Sequence, residues 1–127
     1  MKLASLKTGG PDGTLIVVNR ALSHYASAAE VAPTMQYAMD NWQEAEAGLR
    51  ALSVSLESGD ISDAAALDFR ALASPFPRAY EFLDGSAYLP HVERVRKARG
   101  AEVPESFYSD PLMYQATSAG FLGPRDP

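Results

Sequence analysis

The order of apolar and polar positions along the chain predicts an α+β fold. Leu3-Ala4-Ser5-Leu6 reads as a short strand, cut off by Gly9-Gly10-Pro11-Asp12-Gly13, a dense turn signal. The run Thr14-Leu15-Ile16-Val17-Val18 is β-branched and almost wholly apolar, which suits a strand covered on both faces. A weaker run from Leu22 to Tyr25 follows Asn19-Arg20, so a small meander is expected. Pro33-Thr34 then opens a helix with Thr34 at its N-cap. Met35, Ala38, Met39, Trp42, Ala45, Leu49, Leu52 and Leu56 recur every three or four residues, which places them on one stripe of a single helix over 34–58. Gly59 stands where a terminating glycine belongs. The Met and Trp of that stripe read as core packing.

Periodicity weakens beyond this point. The stretch Asp60 to Leu72 reads as helical or irregular, with a short helix after Ser62 or Asp63. Two prolines flanking Phe76 force extended backbone, so 75 begins a new section. Arg78 to Phe82 alternates like a strand, and Asp84-Gly85-Ser86 looks like a turn. A second helix runs from about Tyr88 to Arg99, with Pro90 tolerated only in its first turn and Gly100 as its stop. Tyr88, His91, Val92 and Val95 share one of its faces. Loop and short strands follow.

Composition narrows the function classes. The chain carries 11 basic and 16 acidic residues for a formal charge of −5, which disfavours general nucleic-acid binding. It has no cysteine, which removes disulfides, thiolate nucleophiles and sulfur-ligated zinc. No apolar run is long enough to span a membrane, and Lys2 and Lys7 bracket a segment too short for a secretory signal. A cytoplasmic domain is expected.

Few residues could carry chemistry. His24 lies in the weak third strand with no acid at functional spacing and reads as structural or exposed. His91 reads either as a core histidine bonded to a backbone carbonyl or as a general base taking a proton from water. Asp84 reads either as a turn residue capping its own backbone or as a carboxylate that could hold a hard cation. Arg94, Arg96, Lys97 and Arg99 form a solvated helix face or an anion site. No phosphate loop, HExxH or Gly-x-Ser-x-Gly is present.

Several short motifs occur together and in order: Pro75-Phe76-Pro77-Arg78-Ala79-Tyr80, the stretch from Asp84 to Gly100 with His91 seven residues after the aspartate, Pro104 to Gln115, and Phe121-Leu122-Gly123-Pro124. In this the chain resembles bacterial members of the fumarylacetoacetate hydrolase family, with residues 1–74 similar to the extra N-terminal domain of those proteins. The resemblance implies that 75–127 is the opening segment of a mixed β catalytic domain, truncated here. It implies Asp84 as a ligand of Mg²⁺ or Ca²⁺, His91 as the base that activates water, Tyr88 at the pocket edge and Tyr114 as a substrate contact. One arginine among Arg94, Arg96 and Arg99 is implied to touch substrate. After Gln115 the family pattern calls for glycines where this chain has Ala116 and Thr117, and Pro90 before the histidine is also a departure.

The activity implied is hydrolysis of a C–C bond in a fumarylacetoacetate- or acylpyruvate-like β-dicarbonyl acid, assisted by a divalent metal. Two alternatives stand beside it: a family relative that decarboxylates, hydrates or isomerises a keto acid, and a non-catalytic assembly module. The remaining metal ligands, a Glu-x-Glu pair and an Asp, are expected after residue 127. The implied partners are a small dicarbonyl acid, the rest of the catalytic domain and, at full length, a second copy in a homodimer. Neither nucleic acid nor membrane is expected. Residues 1–127 alone are expected to be inactive and to hold Mg²⁺ or Ca²⁺ weakly.

Overall fold

The computed structural model describes residues 1–116 and 120–127. They form two compact units, one of Met1–Ala79 with the tail 120–127, the other of residues 80–116. Both mix strand and helix, and the chain as a whole is α+β.

The first unit is built on a four-stranded antiparallel sheet in the order β1 (Lys2–Leu6), β2 (Thr14–Val18), β3 (His24–Ser27) and β4 (Ala65–Ala66). The β1–β2 turn depends on Gly13, whose φ is 70° and where a Cβ would fall 2.4 Å from the Leu6 carbonyl oxygen. In β2, Leu15, Ile16 and Val17 are wholly buried. Alternate residues of a strand face opposite ways, and both faces here are covered. Leu15 and Val17 join Ala26, Met35, Ala38, Ala45, Leu49 and Leu56 in the main core, whereas Ile16 and Val18 pack with Leu72, Leu6 and Tyr25. The doubly covered strand expected from the apolar run is therefore present.

The predicted helix over 34–58 is two helices, α1 (Met35–Asp40) and α2 (Trp42–Ser58). Thr34 caps the first through its hydroxyl, which accepts from the Tyr37 N–H at 3.1 Å. Asn41 makes the break. Its backbone leaves the helical region at φ −119° and ψ 37°, and both its N–H and its side-chain amide donate to the Tyr37 carbonyl at 3.0 Å. Asparagine competes for backbone groups in this way, which is why it favours helix ends. Met39, expected on the stripe, is exposed, while Ala45, Leu49 and Leu56 are buried. Gly59 ends α2 in a left-handed conformation.

The helix expected after Ser62 or Asp63 is absent. The segment instead supplies the two-residue strand β4, paired with β3 through His24↔Ala66 and Tyr25↔Ala65, and a 3₁₀ turn at Phe69–Ala71. An edge strand of two alanines has no alternation to read.

In the second unit, β5 (Phe82–Gly85) and β6 (Met113–Ala116) form an antiparallel ribbon, with α3 (Leu89–Ala98) and a 3₁₀ turn at Glu105–Tyr108 between them in sequence. The strand expected over 78–82 thus lies four residues later, and Asp84-Gly85 belongs to it rather than to a turn. Helix α3 begins after Tyr88 and accommodates Pro90 in its first turn, where a missing N–H costs no helical bond. Among the described residues, no helix is long and apolar enough to cross a membrane.

Candidate functional site

The four residues singled out from the sequence all lie in the second unit. Antiparallel pairing sets Asp84 directly opposite Tyr114, so the register places both side chains on one face of the β5–β6 ribbon. Tyr88 is the N-cap residue of α3, and His91 lies three residues on, in the first turn. Residues three apart are neighbours on a helix surface.

Asp84, Gly85, Ser86, Tyr88, His91 and Arg94 line one open recess of about 430 Å³. His91 and Ser86 also border a second, smaller recess of about 170 Å³, shared with Arg96, Arg99, Phe107, Leu112 and Tyr114. The structure therefore brings Asp84, Tyr88 and His91 to one recess and Tyr114 to another, with His91 common to both. His91 is not a core residue: its side chain is exposed, and among the described residues its ring has no hydrogen-bond partner. Tyr88 is 74% exposed and Tyr114 is 53% exposed.

Among the described residues Asp84 caps no backbone N–H. Its Oδ1 accepts from the Ser86 hydroxyl at 3.2 Å, and among the described residues its other oxygen has no hydrogen-bond partner. Among the described residues no three His, Asp or Glu side chains come together as a metal centre. Mg²⁺ and Ca²⁺ take six or more oxygens, so Asp84 with the Ser86 hydroxyl does not hold such an ion unaided.

The arginines, which spacing alone left equivalent, are separated by the fold. Arg94 borders the recess of Asp84 and His91, whereas Arg96 and Arg99 border that of Tyr114. Arg94 follows His91 by three residues, a helical spacing that would have singled it out once His91 was chosen. The Arg96 guanidinium stacks over the Phe107 ring at 5.1 Å from its centre. That contact holds a cation beside an aromatic wall, and nothing in the sequence spacing signals it. The adjacent Tyr108 hydroxyl donates to Glu93 Oε1 at 3.3 Å, and desolvation together with the Glu93 carboxylate pushes its pKa up. The position at which the family pattern calls for glycine, Ala116, pairs with Phe82 in the ribbon; Thr117 lies outside the described residues.

A meander packed against a helix pair, followed in sequence by a section in which Asp84, Tyr88 and His91 line one recess, defines the chain as α+β. Residues 1–78 match the family model of the fumarylacetoacetase N-terminal domain 2, and the chain belongs to that family. No curated protein matches the chain.

Proposed function

We propose that this chain is the N-terminal part of a fumarylacetoacetase-like enzyme that hydrolyses a C–C bond in a β-dicarbonyl acid of the fumarylacetoacetate or acylpyruvate type. The observation that carries this reading is the convergence of Asp84, Tyr88, His91 and Arg94 on one recess in a chain of this family. His91 is the general base. Its ring nitrogen takes a proton from water as the oxygen adds to the carbonyl carbon. The C–C bond then breaks, its electron pair leaves as an enolate, and the imidazolium returns the proton to that carbon. Tyr88 and Tyr114 donate hydrogen bonds to substrate oxygens, and Arg94 offers a charge to the carboxylate. Asp84 contributes one carboxylate to a divalent-ion site whose other ligands belong to a longer polypeptide, as do the rest of the catalytic domain and the surface for a homodimer.

The test is product analysis on a panel of acylpyruvates with a polypeptide extended beyond residue 127, beside residues 1–127 alone. The extended protein releases a carboxylic acid and pyruvate, and His91→Ala lowers kcat by roughly 10²–10⁴, the usual worth of a general base. Residues 1–127 alone turn nothing over, and calorimetric titration finds Mg²⁺ or Ca²⁺ binding no tighter than millimolar. Carbon dioxide release or isomerised product in place of two acids would make the enzyme a decarboxylase or isomerase of the same family. Full folding with no turnover of any substrate would leave an assembly module. Tight metal binding by residues 1–127 would overturn the assignment of the ligands.

A further inference from the structure

Two of the motifs that mark the family resemblance, Pro75-Phe76-Pro77-Arg78 and Phe121-Leu122-Gly123-Pro124, have no part in the site above. In the structure both belong to the first unit, one where the chain leaves it and one where the chain returns. The outgoing limb is fixed along β1. Lys7 N–H donates to the Ala71 carbonyl and Ala73 N–H to the Ser5 carbonyl, each at 2.9 Å. The hydroxyl of Ser5, a buried side chain, donates to the Pro75 carbonyl at 2.8 Å, and Arg78 holds Asp12 through two nitrogens at 2.9 and 2.6 Å.

The returning limb is fixed to the outgoing one. Phe121 N–H donates to the Pro77 carbonyl at 3.3 Å. Gly123 lies so close to the outgoing limb that a Cβ there would fall 2.2 Å from the Leu72 carbonyl oxygen. Asp126 Oδ2 accepts from the Gly123 N–H at 2.8 Å, and its other oxygen is ion-paired with the Lys7 ammonium. The same ammonium donates to the Arg70 carbonyl at 2.9 Å. Lys7 thus touches both limbs.

We propose that these motifs are the two halves of a latch, pinned by Lys7 and Asp126, which fastens both ends of the intervening segment to the first unit. Glycine at 123 is required because only a residue without Cβ can lie against the Leu72 carbonyl. The latch is a strap on a preformed scaffold. Its release frees the returning limb and leaves the sheet intact.

Hydrogen exchange on residues 1–127 followed by NMR tests this, with Lys7→Met and Gly123→Ala as the two variants. In the unaltered chain the Phe121 and Gly123 amides are protected. Each variant accelerates their exchange by about tenfold or more, the factor that corresponds to one charge-assisted hydrogen bond. The Val17 and Ala26 amides in the sheet keep their protection. Unprotected Phe121 and Gly123 amides in the unaltered chain would overturn the proposal, as would unchanged exchange in Lys7→Met. Equal loss of protection at Val17 and Ala26 would also overturn it, since the limbs would then be part of the scaffold.

Discussion

Single residues in the first unit carry charge interactions that acid removes one at a time. The Asp12 carboxyl is held below the usual aspartate range by the hydrogen bonds from Arg78, and that of Asp126 by the Lys7 ammonium and the Gly123 N–H. A carboxylate whose folded pKa lies below its unfolded value of about 3.9 stabilises the fold above that pH and loses its contribution as pH falls through the folded value. The melting temperature should therefore drop below about pH 4, and Asp12→Asn with Asp126→Asn should flatten that acid limb while lowering the plateau slightly. A thermal melt series from pH 2 to 7 checks it; an unchanged slope in the double variant would show that other carboxylates set the limb. Neither pair was legible from sequence. Lys7 and Asp126 stand at opposite ends of the chain, and only the fold brings them together.

At the scale of elements, Leu49 on α2 is wholly buried in the main core. Leu49→Ala should cost about 2–5 kcal/mol, through lost burial and the cavity left behind. Thr34→Ala should cost about 1 kcal/mol through loss of the cap. Urea unfolding separates the two. The helices, the meander and Thr34 could be read from the chain because each has a local cause: a turn, a cap or a repeating apolar face. The break at Asn41 could not. Met35, Ala38, Trp42 and Ala45 keep their three- and four-residue spacing across it, so the stripe runs on where the backbone does not. Strand β4 escaped for the opposite reason, as its two alanines carry no pattern and pairing with β3 alone defines it. In the site, the resemblance pointed to Asp84, Tyr88, His91 and Tyr114. Their division between two recesses, and the separation of Arg94 from Arg96 and Arg99, follow from the β5–β6 register and the phase of α3.

Across the whole molecule the two units differ in how much they bury. The first has nearly all the buried apolar residues; in the second, Val92 is the one described hydrophobic residue that is buried, and every residue of β5 and β6 is exposed. A two-stranded ribbon without a covered face is marginal in water. Amides of Leu83 and Gln115 should accordingly exchange by local opening, faster than those of Val17 and Ala26, which open only with the unit. Equal protection in both would mean that the second unit is stabilised by more than its own contacts. The first unit has a different property, and it comes from β2. That strand is the common wall of two apolar clusters, Leu15 and Val17 on one side and Ile16 and Val18 on the other. Neither cluster can come apart without uncovering the back of the other. The unit should therefore melt in one step, with Leu49→Ala on one side and Leu72→Ala on the other each lowering a single shared midpoint in a thermal melt.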